Sequence, residues 1–311
     1  MRLKIARLVT LLSLLTLLIA CGDGGGGSSS SSSSSTPAST SATTSLTKAV
    51  SRDILTTPAG SPCALSFNNV DVFGNVKFEV SQPVGVQSWN CLVVDRSNLI
   101  PTHSGNQSVR IEVRPGDCSS PIGATNSDCT NDRSRYELLA LPSQSTQGQE
   151  ITYTYYIYLP SQPLLRPAQK AGASTTYEMF VGQINWMNLT GTSYGTLVYT
   201  AVDQTGALVL IPTVGFSWVN DKPVTIDSNP SNKWIKLAFV TKSTASSDGY
   251  LRVYANDQLI LNQTRATLPA ATDYRNDLKV GIYNAFLSAA ATPFDTQVIF
   301  FDDFTTQVQN F

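Results

Sequence analysis

Lys279, Gly281 and Tyr283 alternate within Asp277-Leu278-Lys279-Val280-Gly281-Ile282-Tyr283-Asn284. As a strand, this stretch sends those three to one face and Leu278, Val280 and Ile282 to the other. The apolar set suits a core. The polar set places a cation and a phenol about 13 Å apart, at roughly 3.3 Å per residue, with a side-chain-free gap between them. A glycine between two long polar side chains weakens a strand unless a ligand or another backbone approaches closely. A flat ligand across that gap would meet an ammonium at one end and a proton-transferring hydroxyl at the other. A half-exposed strand carrying a surface lysine and tyrosine is the plain alternative.

Two other stretches carry compatible chemistry. In Arg133-Ser134-Arg135-Tyr136-Glu137-Leu138 the residues Arg133, Arg135 and Glu137 share a face. Guanidiniums about 7 Å apart match successive carboxylates, or a carboxylate and a hydroxyl, and Glu137 can hold one of them. Gln183 and Asn185 share a face beside Trp186, a polar and aromatic surface of the kind that binds sugars or simply covers a sheet. His103 is the only histidine, in the loop Pro101-Thr102-His103-Ser104-Gly105. It is the one side chain here whose ordinary pKa lies near neutrality, so it is a candidate proton donor or acceptor. Arg110, Glu112 and Arg114 alternate against Val109, Ile111 and Val113 and read as a structural strand with a solvated ladder of charges.

The elements that must position these residues read as strands throughout. From Ser66 onward, short runs of β-branched and aromatic residues are broken by Gly, Pro, Asn and Asp, with no helical period. They begin with Phe67–Val70 and Lys77–Val80, continue through Arg133–Leu141, Tyr177–Asn185 and Tyr250–Ala255, and end with Asp277–Asn284 and Gln297–Phe304, where Phe300–Phe304 suggests a closing edge strand. About fourteen strands in one open sheet would curl or split, so an all-β, two-sheet sandwich is expected, with a concave groove on one sheet.

Composition bounds the function. Only 14% of the 311 residues are charged, well under the usual quarter, which suits an exported sheet protein. Residues 1–20 hold Arg2, Lys4 and Arg7 and then the apolar run Leu8–Ile19, the pattern of an export signal. Leu18-Ile19-Ala20-Cys21 resembles the lipobox of bacterial lipoproteins, which implies a lipidated Cys21, a membrane anchor made of lipid alone, and outer-membrane placement. Residues 21–49 are rich in Gly, Ser and Thr and read as a tether, leaving residues 50–311 as one domain. Without residues 1–20 the chain has 18 basic residues against 22 acidic, which excludes a uniformly basic nucleic-acid binder. Four further cysteines allow three pairings, and the nearest in sequence are Cys63 with Cys91 and Cys118 with Cys129. No zinc-like spacing occurs, and one histidine leaves no His-based metal centre.

Arg135-Tyr136-Glu137-Leu138, Gln183-Ile184-Asn185 and Leu278-Lys279-Val280-Gly281-Ile282-Tyr283-Asn284, in that order, resemble the three signature strands of jelly-roll polysaccharide lyases. The flanking text is most similar to the glucuronan lyase and heparin lyase I group, and the likeness covers about half of the chain beyond residue 20. The resemblance implies β-elimination on a uronic-acid polymer, with no cofactor or metal and a monomeric protein. Arg135, Gln183 and either His103 or Asn185 would neutralise the uronate carboxylate, and Tyr283, helped by Lys279, would transfer protons. Arg133 and Tyr274 would contact substrate. Asn185 stands where alginate lyases typically have histidine, which leaves His103 as the only imidazole available. A non-catalytic, lectin-like carbohydrate-binding sandwich would share the strands and tryptophans but would not need Lys279, Tyr283 and Arg135 together. A glycoside hydrolase would need two facing carboxylates; Asp302 and Asp303 are adjacent and point to opposite faces.

Overall fold

The computed structural model describes residues 70–311 apart from 74–75, 83, 98–99, 121–126, 142–144, 161–166, 174–177, 190–193, 217–220 and 271–272. The export-signal pattern, Cys21, the tether and Cys63 lie outside the described residues. Among the described residues are fifteen strands in two antiparallel sheets. The first, called here the groove sheet, runs β1 (Lys77–Val80), β4 (Arg133–Leu141), β14 (Tyr274–Ala285), β7 (Glu178–Asn188), β8 (Tyr194–Val202), β9 (Leu208–Pro212) and β10 (Val224–Asp227). A short β5 (Ser145–Thr146) also pairs with β14. The second, the back sheet, runs β13 (Gln258–Thr264), β12 (Tyr250–Ala255), β11 (Trp234–Ser243), β6 (Gln149–Tyr158), β15 (Gln297–Asn310), β3 (Gln107–Val113) and β2 (Cys91–Asp95).

Period-two patterning explains why these sheets face each other. On β6, Ile151, Tyr153, Tyr155 and Ile157 are fully buried while the residues between them are half-exposed. They meet Leu138, Val181, Ile184, Leu278, Val280 and Ile282 of the groove sheet in one cluster. Each such side chain contributes about 1.5–3 kcal/mol on burial. The predicted split of the β14 stretch therefore holds, with its apolar face in the core. The predicted bounds of β4 and β12 match the strands, whereas Val70–Phe73, overlapping the end of a predicted strand, forms a helical turn, α1.

Two expectations about the back sheet are corrected. β15 is not an edge strand: it lies between β6 and β3. It tolerates a bulge between Asp302 and Thr305, where Asp303 adopts a φ of 51°. The charges of β3 are not a solvated ladder either, because Arg110 and Glu112 are buried and joined as an ion pair. Arg110 is flanked in register by Leu92 and Phe300, and Glu112 by Val298. With Val94, Ile100 and Trp234, those residues form a second apolar layer over the outer face.

Gly281 has a structural cause that differs from a gap for a ligand. Its φ is +150°, and a Cβ there would run into the Tyr136 carbonyl and lie 2.7 Å from the Cα of Glu137 on β4. Close approach of the neighbouring backbone requires the glycine. A bulge between Val280 and Tyr283 against β7, and another between Phe180 and Gly182 against β8, bend the sheet at this point. The second bulge lets Val181 and Ile184 both enter the core while Gln183 faces out, which strict alternation would forbid. Cys118 and Cys129 are joined, with Cα atoms 5.2 Å apart. Cys91 is disulfide-bonded as well.

Candidate active site

The outer face of the groove sheet holds a cleft of about 610 Å³. Strands β4, β14, β7 and β8 supply its floor, because β14 pairs with β4 on one side and with β7 on the other, and β7 in turn pairs with β8. Tyr283 stands in register between Arg135 and Phe180, and Lys279 between Leu139 and Gln183. Arg133, Arg135, Gln183, Asn185, Lys279 and Tyr283 all line the cleft.

The guanidinium of Arg135 lies over the Tyr283 ring at 4.1 Å, and that of Arg133 at 5.9 Å. On the other side Phe180 packs tilted against the same ring at 5.6 Å. Burial pushes the Tyr283 phenol up to about 12, against the pull of Arg135 and then Arg133, while Glu137 and Asp128 push it further up. Arg135 also feels burial first, working against its charge, but its bonds to Asp128 and the field of Glu137 outweigh that and raise its pKa. Tyr283 is thus a protonated hydroxyl over the neutral range, held against two cations that favour its phenolate.

A sequence profile for a family described as polysaccharide lyase matches residues 95–305. This chain belongs to that family. No curated protein sequence matches it. Among solved structures, an endo-β-1,4-glucuronan lyase from the fungus Trichoderma reesei superposes with a TM-score of 0.51 at 12% identity, covering 76% of this chain and 92% of the other. A family 7 alginate lyase, A1-II′, gives 0.49 at 13% identity over 82% and 99%. An alginate lyase from Pseudomonas aeruginosa gives 0.43 at 15% identity over 65% and 83%. The likeness to the glucuronan lyase is one of fold, and it fits the two-sheet jelly roll described above.

Not every residue singled out in the sequence reaches the cleft of this polysaccharide lyase. His103 is on the opposite sheet: its ring stacks on Tyr156 at 3.5 Å and its Nδ1 pairs with Asp303. Tyr156 belongs to the outward row of β6, so the whole sandwich separates His103 from Tyr283. The loop is drawn there by the carboxylate of Asp302, which accepts the backbone N–H of His103 at 2.7 Å. Tyr274 is on the core side of β14, packed edge-on against Trp186 at 5.6 Å. Of the cations expected from the sequence to lower the Tyr283 pKa, Lys279 together with the nearby arginines, it is Arg135 and then Arg133 that do so.

The amides are largely committed within the floor. Gln183 Nε2 donates to Glu137, and Thr196 Oγ1 donates to Asn185 Oδ1 at 2.8 Å. Asn185 Nδ2 and both oxygens of Asp277 are buried, and apart from the Asn185–Asp277 contact itself they have no hydrogen-bond partner among the described residues. Burial raises the Asp277 pKa, while Lys279 and then Asn185 oppose it. Asp128, which sequence reasoning missed, is the residue that grips Arg135, with Nε to Oδ2 at 2.7 Å and Nη2 to Oδ1 at 2.6 Å. The one signal for it was its place in Ser127-Asp128-Cys129, next to a paired cysteine and just before β4. Phe286, also missed, lines the cleft with a left-handed backbone at φ 58°.

Proposed function

We propose that this polysaccharide lyase cleaves an unbranched uronic-acid polymer by β-elimination, with Tyr283 as the proton-transferring group. The carrying observation is the placement of the Tyr283 ring against two guanidiniums in a cleft whose floor offers no imidazole among the described residues. The barrier in such a reaction is the carbanion at C5, next to an ionised carboxylate, so cations along the floor lower it by neutralising that carboxylate. Tyr283 as phenolate takes the C5 proton, the C4–O4 bond breaks as the C4–C5 double bond forms, and the phenol returns that proton to O4. The tyrosine ends the cycle as it began. Arg133 supplies positive charge beside it, and Lys279 supplies it farther along the cleft.

The decisive experiment incubates the mature domain with glucuronan, alginate and heparin-like chains while following the absorbance of the new double bond. Binding without absorbance growth would leave a lectin-like role and end the elimination reading. The modest number of basic residues favours a polymer without dense sulfation. The lipobox-like Leu18-Ile19-Ala20-Cys21 supports a lipid-tethered, exported monomer facing its polymer at the outer membrane, tested by fatty-acid labelling of the parent and of Cys21→Ser.

A further inference from the structure

The two arginines of β4 were given one task by their sequence, and the geometry points to two. We infer that Arg135, clamped by Asp128, is a positioning residue for Tyr283, and that Arg133 with Lys279 is what remains to grip the carboxylates of the polymer. This rests on the elimination proposed above and assigns its parts.

Each nitrogen of the Arg135 guanidinium already has an acceptor. Nε and Nη2 take both oxygens of Asp128, at 2.7 and 2.6 Å, and Nη1 reaches Glu137 at 3.5 Å. With its amide turned to donate to Asp128 at 3.0 Å, Gln82 also accepts from Nη1 at 3.2 Å. The side chains of Arg135 and Asp128 are only 10% and 3% exposed. Drawing Arg135 away to a substrate carboxylate would strand a buried anion, which is strongly unfavourable. A bidentate fork fixes the plane of the guanidinium, and that plane lies over the Tyr283 ring.

Arg133 also reaches over the Tyr283 ring but differs in its partners. Its side chain makes no hydrogen bond or ion pair among the described residues, and its Nε is buried without an acceptor. Lys279 lines the same cleft and makes no ion pair among the described residues, although its field reaches Asp277. Asp128 is itself fixed: its N–H donates to Ser119 at 2.9 Å, its carbonyl accepts the backbone N–H of Arg133 at 3.0 Å, and the Cys118–Cys129 bridge closes its loop. The clamp therefore belongs to the scaffold, and the free guanidinium beside it belongs to the polymer.

The test is a kinetic split joined to chemical labelling. Asp128→Asn and Arg135→Lys should each lower kcat by about tenfold or more with KM within about twofold, and the double variant should be no worse than the poorer single one. Arg133→Lys should instead raise KM by about tenfold. Phenylglyoxal labelling read by mass spectrometry should mark Arg133 and spare Arg135 in the parent. An oligouronide should protect Arg133, and Asp128→Asn should expose Arg135. A KM defect in Arg135→Lys, equal labelling of both arginines in the parent, or an Asp128→Asn protein altered only in thermal stability overturns the division. If the parent forms no unsaturated product on any polymer, the elimination reading fails, and the labelling pattern still decides whether the clamp exists.

Discussion

Two clusters in this molecule hold the same kinds of side chain, and only one is built to act. On the back sheet, His103 stacks on Tyr156, its Nδ1 and the Ser104 hydroxyl both bond Asp303, and Asp302 accepts backbone N–H groups from the same loop. Burial pushes Asp302 up to about 6, with the His103 backbone bond opposing. Its polar groups are spent on fastening a loop to the bulge of β15. On the groove sheet, Arg133 Nε is buried without an acceptor near Tyr283, and farther along the same sheet Asn185 Nδ2 and the Asp277 carboxylate are buried with no partner but each other among the described residues. Unsatisfied buried polar groups carry a cost that a purely structural surface removes. The difference teaches that reactive residue types alone do not mark a site; what sets the groove apart is an unpaired guanidinium lining a cleft beside a phenol.

The contrast can be broken most sharply at Tyr283. Tyr283→Phe should lower turnover by about 10²–10⁴, the range of a lost general acid and base. An effect within a few-fold would move the chemistry elsewhere. Next, because the phenol is pushed up to about 12 and the base form must be ionised, kcat/KM should climb about tenfold per pH unit from neutrality toward pH 10. A bell centred near pH 6.5 would point back to an imidazole. Lys279→Met should raise KM by about tenfold at low salt, with a smaller ratio in high salt as screening weakens the parent's own grip. A KM unchanged by this substitution would remove Lys279 from the substrate surface.

Two smaller effects sharpen the comparison from the stability side. The folded-state pKa of Asp277 is raised, so its favourable neutral state is fully present below its unfolded pKa and is lost as pH rises through the folded value. Asp277→Asn should therefore raise the Tm by a few degrees at neutral pH and leave it unchanged near pH 3. A uniform shift at all pH values would assign the effect to packing. His103→Ala should lose a few degrees of Tm while its turnover stays within about twofold of the parent. A large loss of kcat in that variant, at unchanged stability, would put the back sheet into the reaction.

The sequence carried the local rules and not the distances. Arg133–Leu141 and Tyr250–Ala255 could be bounded because alternation and turn residues are properties of neighbours in the chain. The common groove of Arg135, Gln183 and Tyr283 was reached through the resemblance of three motifs, since nothing in the spacing pairs residues 135 and 283. Asp128 escaped because its bond to Arg135 depends on how a disulfide-closed loop folds back on β4. His103 misled for the opposite reason: its chemistry is plain, while the carboxylates that hold its loop come from residues 302 and 303, at the other end of the domain. Alternation also failed at Gly182, where a bulge resets which side chains face outward.

β14 and β15 follow the other described strands in the sequence, and both lie inside their sheets with partners on each side. Without them the groove sheet separates into β1–β4 and the run β7 to β10, and the back sheet into β13–β12–β11–β6 and β3–β2, each piece with an unpaired edge. Completing either layer therefore waits on pairings between residues far apart in sequence, and Tyr283, the proposed proton-transferring group, is set in place by one of them.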